Sequence, residues 1–126
     1  MIQALTSLKI MDNSGGREAH CIKVLKNQRW ASLGDVVVVS LRKVRKIHNK
    51  YQLRKVALGK IYRLLILQVK KERQRFDGST IRFSSNAGVL LTRQSQPVGT
   101  RIKGSLPHEL RNSPYLKTMS LGSNLI

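Results

Sequence analysis

Acidic residues are scarce in this chain. Its 126 residues hold six Asp and Glu against 24 Lys and Arg, a formal charge of +18 and a pI near 11.2. The six acids (Asp12, Glu18, Asp35, Glu72, Asp77, Glu109) are scattered singly and give no carboxylate pair for general acid–base chemistry. Cysteine occurs once, at Cys21, which excludes an intrachain disulfide and a multi-cysteine metal site and suits a reducing compartment. His20 and Cys21 are adjacent, so on a strand they point to opposite faces, the wrong arrangement for a Cys–His nucleophile. His20, His48 and His108 lack metal-ligand spacing. The stretch Gly99 to Ser105 echoes a phosphate loop but lacks the Lys-Ser/Thr that must follow its second Gly. No catalytic residue, metal or cofactor is expected. Six aromatics (Trp30, Tyr51, Tyr62, Phe76, Phe83, Tyr115) are too few and too spread for base stacking to be the main recognition device. The apolar run Leu64-Leu65-Ile66-Leu67 is far below the roughly 20 residues of a spanning helix. Met1-Ile2-Gln3 leads straight into strand-like sequence, with neither a signal-peptide pattern nor an Arg/Ser-rich presequence.

What is present is positive charge on a modest apolar scaffold. Leu, Ile and Val number 36, enough for one small core, so a single domain over residues 1–126 is expected. A surface this cationic repels itself, and a polyanion relieves the repulsion: nucleic acid first, an anionic membrane second. The segment Lys70 to Phe83 concentrates the signal. It carries Lys70, Lys71, Arg73, Arg75 and Arg82, the pair Asp77-Gly78 favoured by a two-residue type I′ turn, and the alternation Ile81-Arg82-Phe83. A projecting β-hairpin with a cationic skin is predicted, with Asp77-Gly78 structural and aiming Arg73, Arg75 and Arg82.

Elsewhere, Leu8-Lys9-Ile10 and Ile22-Lys23-Val24 alternate as strands, and Val36 to Val39 is a β-branched run suited to a buried strand. Asp12-Asn13-Ser14-Gly15 reads as a turn, although its polar groups could also face RNA. Leu41 to Val69 admits two readings. Val44, Ile47, Tyr51, Leu58, Ile61 and Leu65 fit one face of a long basic helix; the rival is strand, basic loop and strand with Gly59 as the break. Val89-Leu90-Leu91 is a short buried strand, and Pro97 to Gly104 is expected to close the sheet. In the tail, Pro107 and Ser113-Pro114 resemble helix starts, with Ser113 as N-cap. The fold class is mainly β: a small barrel with a basic hairpin over residues 1–104 and a short helical segment over 105–126.

Taken in order, several motifs form a known pattern. They are Asp12-Asn13-Ser14-Gly15, Cys21 to Leu25, Gly34-Asp35-Val36-Val37, the hairpin through Asp77-Gly78-Ser79, Asn86-Ala87, Val89-Leu90-Leu91, Pro97 to Ile102, Glu109-Leu110-Arg111 and Ser120-Leu121. The chain closely resembles, end to end, the universal large-subunit ribosomal protein fourteen family. That resemblance implies a five-stranded antiparallel β-barrel with a projecting ribbon and two short C-terminal helices, which favours strand, loop, strand for Leu41 to Val69. It also implies large-subunit rRNA as ligand, a place at the subunit interface, neighbouring ribosomal proteins as partners, and bridges to small-subunit rRNA. A surface for a ribosome-silencing factor would include Thr100, Arg101 and Lys117; the residues alone leave Thr100-Arg101 open as an rRNA contact, a partner contact or a strand cap. Membrane binding is not implied.

Thirteen of the 24 cations lie between Arg42 and Arg75, and only Glu72 opposes them within that span. An ordinary solvated face mixes signs; this one does not. The expected rRNA-binding residues are Arg42, Lys43, Arg45, Lys46, Lys50, Arg54, Lys55, Lys60, Lys70, Lys71, Arg73, Arg75 and Arg82, with Arg63 in the same cluster. They would neutralise phosphates and recognise folded rRNA by shape. Departures from the family pattern are a longer and more basic loop between Leu41 and Gly59, Gly88 for a common Cys, Lys103 for a common Phe, Lys26-Asn27 for glycines, and the end Gly122 to Ile126. They resemble a divergent organellar member, which places the chain in the mitochondrial matrix; a bacterial cytoplasm or a plastid is the alternative. The alternative function is a cationic membrane-surface or general polyanion-binding protein, resting on the helix reading of Leu41 to Leu58.

Overall fold

The computed structural model describes residues 1–46 and 55–126. Among these the strands are β1 (Ser7–Ile10), β2 (Gly16–Val24), β3 (Val36–Val44), β4 (Ile61–Gln68), β5 (Arg73–Gln74), β6 (Thr80–Ile81), β7 (Ala87–Leu91), β8 (Ile102–Leu106) and β9 (Gly122–Leu125). A 3-10 helix at His108–Asn112 and helix α1 at Leu116–Ser120 lie between β8 and β9. Strands β1, β2, β3, β4 and β7 close into a barrel in that order, β5 and β6 form a ribbon, and β8 and β9 form a parallel pair.

A ring of five strands cannot alternate direction all the way round; one neighbouring pair must be parallel. That pair is β1 with β7, where Lys9 faces Ala87 and Ile10 faces Gly88. The other four pairings are antiparallel. The expectation that Pro97 to Gly104 closes the sheet is therefore corrected. Ile102 begins β8, which pairs with β9, and among the described residues the β-pairing of this stretch with the barrel is limited to isolated bridges (Asp12 with Ile102, Leu91 with Pro97).

Burial explains why some strands alternate and others do not. Leu64, Ile66 and Leu90 point into the barrel with Leu8, Val37, Val39 and Leu41. Leu65, Leu67, Val89 and Leu91 point outward, beneath Ile102, Leu106, Leu110 and Met119 of the C-terminal segment. Strands covered on both faces read as continuous apolar runs, as Leu64 to Leu67 and Val89 to Leu91 do. In β3 one face is more open: Val37 and Val39 are buried, Val36 and Val38 only partly.

The strand, loop, strand reading of Leu41 to Val69 holds. Strand β3 runs to Val44 and β4 starts at Ile61, with the Gly59 N–H donating to the Leu41 carbonyl at 2.8 Å. A helix over Leu41 to Leu58 is excluded at its start, because Leu41 is wholly buried in the barrel on the face shared with Val37 and Val39. Ile47, Tyr51, Lys50 and Arg54 lie outside the described residues. In the tail, Ser113 is not the N-cap of α1; Tyr115 is. The Ser113 hydroxyl instead donates to the Leu110 carbonyl (2.6 Å) and accepts from the Tyr115 N–H (3.3 Å), joining the two short helices. Two short helices were expected here; the terminal strand β9 was not.

Asp12 pins the end of β1 to β7. It is buried, and one carboxylate oxygen accepts from the Ser14 N–H (3.2 Å) and hydroxyl (2.5 Å) while the other faces the Leu90 N–H at 3.4 Å. The segment Asp12 to Gly15 is thus a turn with Asp12 and Ser14 turned inward. Burial pushes the Asp12 carboxyl above its ordinary value, outweighing the hydrogen bonds from Ser14 and Leu90 that pull it down. The folded state then holds this proton more tightly than the unfolded chain, so the contribution of Asp12 is complete below the ordinary carboxylate range near pH ~4 and is lost as pH rises through the folded value. Denaturant titrations of wild type and Asp12→Asn across that window should show wild type losing stability relative to the variant as pH rises. A difference that is flat, or that moves the other way, contradicts the assignment.

Candidate nucleic-acid interface

The ribbon Arg73–Ile81 departs from the predicted turn. Strand register pairs Arg73 with Ile81 and Gln74 with Thr80, so the loop is longer than two residues. Arg75 N–H donates to the Ser79 carbonyl (2.8 Å) and Gly78 N–H to the Arg75 carbonyl (3.1 Å). Only Gly78 takes positive φ (+88°), whereas type I′ needs it at Asp77 as well. The reason is local. The Asp77 carboxylate accepts from the Ser79 N–H (3.0 Å) and hydroxyl (2.6 Å), an Asx turn that holds Asp77 out of the left-handed region. These same bonds draw the Asp77 carboxyl below its ordinary value.

The ribbon's cations divide into two groups. Arg75 is largely enclosed: its guanidinium pairs with Glu109 of the 3-10 helix at 2.5 Å and donates to the Ile126 carbonyl at 2.7 Å. Arg73 donates to the Leu33 carbonyl at 3.1 Å. These two arginines bolt the ribbon to the body. Lys70, Lys71 and Arg82 stay exposed, Arg82 only loosely paired with Glu72 at 4.0 Å.

The remaining predicted residues line the barrel. Arg42, Lys43, Arg45 and Lys46 leave the end of β3 exposed, with Lys43 paired to Glu18 at 2.8 Å. Lys43 and Ser7 together hold the Glu18 carboxyl below its ordinary value. Lys9, Arg17, Lys43, Arg45 and Lys70 converge on a concavity of about 550 Å³ rimmed by Ser84, Ser85 and Asn86. Lys55, Lys60, Arg63 and Arg93 line a second, of about 730 Å³, on the outer face of β3, β4 and β7. Lys9, Arg17 and Arg93 escaped sequence reasoning. Lys9 and Arg17 sit apart from the main basic run, Lys9 as the polar member of an alternating strand, and Arg93 follows a run read only as core.

Thr100 and Arg101 are held by Asn13. The Asn13 side-chain oxygen accepts from the Thr100 and Arg101 N–H groups (2.7 and 3.2 Å), and its amide donates to the Thr100 hydroxyl (2.8 Å). Gly99 permits this approach, since a Cβ there would stand 2.8 Å from the Asn13 oxygen. The β8–β9 register, Ile102 with Gly122, brings exposed Arg101 to the end of α1, which carries exposed Lys117. Cys21 is buried and its thiol is pushed up by burial, while His20 is part-exposed, as expected for neighbours on opposite strand faces.

A closed five-stranded barrel, a basic ribbon and a C-terminal segment that caps β4 and β7 coincide here with one family model. The description Ribosomal protein L14p/L23e matches residues 1–126, the whole chain. The chain belongs to the L14p/L23e family. As an L14p/L23e protein it has a structural role in the large ribosomal subunit.

For an L14p/L23e chain with so few acids, the Arg75–Glu109 pair stands out as internal use of charge. Both Glu109 oxygens are shielded from water, and Arg75 is the one Lys or Arg paired with them among the described residues, so losing it leaves a poorly solvated carboxylate without its cation. Arg75→Ala is expected to cost about 1–3 kcal/mol in denaturant unfolding, with part recovered in Arg75→Ala/Glu109→Gln. An Arg75→Ala variant as stable as wild type refutes a structural role for Arg75.

Proposed function

We propose that this protein anchors itself in the large subunit by binding rRNA along its basic faces, close to the interface with the small subunit. Arg42, Lys43, Arg45, Lys46, Lys55, Lys60, Lys70, Lys71 and Arg82 form the binding surface, joined by Lys9, Arg17, Arg63 and Arg93. Lys50 and Arg54 belong to the same run. Arg73 and Arg75 serve the binding indirectly, by fixing the ribbon. The observation that carries this reading is the convergence of five cations, from β1, β2, β3, the residue after β3 and the β4–β5 connection, on one concavity in which Glu18, the one acid among its described lining residues, is already bonded to Lys43 and Ser7. Five cations against one carboxylate leave an excess of positive charge that meets phosphate well and positions the protein without reading sequence.

From its subunit position the protein also touches neighbouring ribosomal proteins and contributes to bridges with small-subunit rRNA. The surface of Thr100, Arg101 and Lys117 receives a ribosome-silencing factor. The long basic loop and the altered tail support a mitochondrial ribosome as its location.

The test reverses charge at two side chains that form no ion pair among the described residues. Arg45→Glu with Lys70→Glu should weaken binding to large-subunit rRNA and shallow the salt dependence by about one unit of slope per lost phosphate contact, with circular dichroism unchanged. Equal affinity and equal slope would remove this concavity from the interface.

A further inference from the structure

Phe76 stands at the tip of the ribbon with its ring wholly in solvent, at a relative exposure of 111%. A lone exposed apolar side chain is common on protein surfaces. The frame around this one is unusual. The loop beneath it is closed by the Arg75–Ser79 and Gly78–Arg75 backbone bonds and by two bonds to the Asp77 carboxylate. The stem is bolted to the body by Arg73 on Leu33 and Arg75 on Glu109 and Ile126. A mobile tip would lose entropy on ordering an aromatic ring against a partner; this one has much of that order built in.

We propose that Phe76 is a base-stacking residue: it receives one unstacked nucleobase of the large-subunit rRNA, while Lys70, Lys71 and Arg82 on the stem meet nearby phosphates. The inference rests on the rRNA-binding reading above and adds a non-ionic contact to it. Chemistry favours a base over an apolar protein pocket. Anchors of protein interfaces sit at the centre of desolvated, well-packed patches. The neighbours of Phe76 are Arg75, Asp77, Gly78 and Ser79, with no second apolar side chain among them. An exposed aromatic face at the tip of a ribbon whose base carries exposed Lys70, Lys71 and Arg82 is instead the pairing that single-stranded nucleotides use, since every base presents a π-face.

The experiment compares wild type with Phe76→Ala, Phe76→Trp and Phe76→Leu in binding to deproteinised large-subunit rRNA over a range of salt. Phe76→Ala is expected to weaken binding about tenfold with an unchanged salt slope, because no charge is removed. Phe76→Trp should bind like wild type and Phe76→Leu like the Ala variant. Wild-type affinity in Phe76→Ala overturns the stacking role alone. Full recovery by Phe76→Leu also overturns it, in favour of an apolar pocket. Failure of the wild-type protein to bind rRNA at all overturns both this inference and the reading beneath it.

Discussion

Six carboxylates cannot neutralise 24 cations, and the fold turns those six carboxylates on itself. Asp12 is bound by Ser14 and Leu90, Asp77 by Ser79, Asp35 by Ser32 and Lys26, and Glu18 by Ser7 and Lys43. Glu109 faces Arg75, and Glu72 lies near Arg82. Each of them except the exposed Glu72 thereby fixes a turn, a strand end or a junction. Little negative charge is left to pattern the surface, so the faces of the barrel carry nearly one sign of charge. Self-repulsion of this kind destabilises a free protein and is relieved by a polyanion. Architecture and ligand class therefore follow from one imbalance.

Two apolar cores support that surface. The barrel interior is built by the inward residues of all five strands, and the outer faces of β4 and β7 are sealed by β8, the 3-10 helix and α1. The C-terminal segment has a second consequence: it supplies Glu109 and the Ile126 carbonyl that hold Arg75, and through Arg75 the ribbon. Packing at one end of the chain thus sets the direction of a basic projection near its middle.

Much of this was legible in the sequence. The alternation in Leu8-Lys9-Ile10, the β-branched Val36 to Val39 and the ribbon between Lys70 and Phe83 all identify strands or a hairpin. The closure of the barrel was not legible, because a parallel β1–β7 pair joins residues almost 80 positions apart and depends on strand parity rather than on any local pattern. The spacing across Leu41 to Val69 left helix and strand, loop, strand both open, because Val44 finishes one strand and Ile61 starts another, and spacing alone cannot see that change. The type I′ prediction failed on a side chain: Asp77 was read for its tolerance of positive φ, whereas its carboxylate bonds Ser79 and fixes a different turn. Arg75 shows the corresponding gap in the candidate interface. A cation in a basic run looks exposed until tertiary packing brings Glu109 against it, and residues such as Lys9 and Arg93 join the surface only when strands distant in sequence become neighbours.

The central claim is that the uncompensated cations meet phosphate. The dependence of rRNA affinity on salt measures this most directly. If the first concavity and the exposed stem of the ribbon together engage about six phosphates, a plot of log K against log salt for large-subunit rRNA should have a slope of roughly −4 to −5. A slope near zero, with binding that survives high salt unchanged, would contradict the account, because the contact would then not be made by the charges on which it depends.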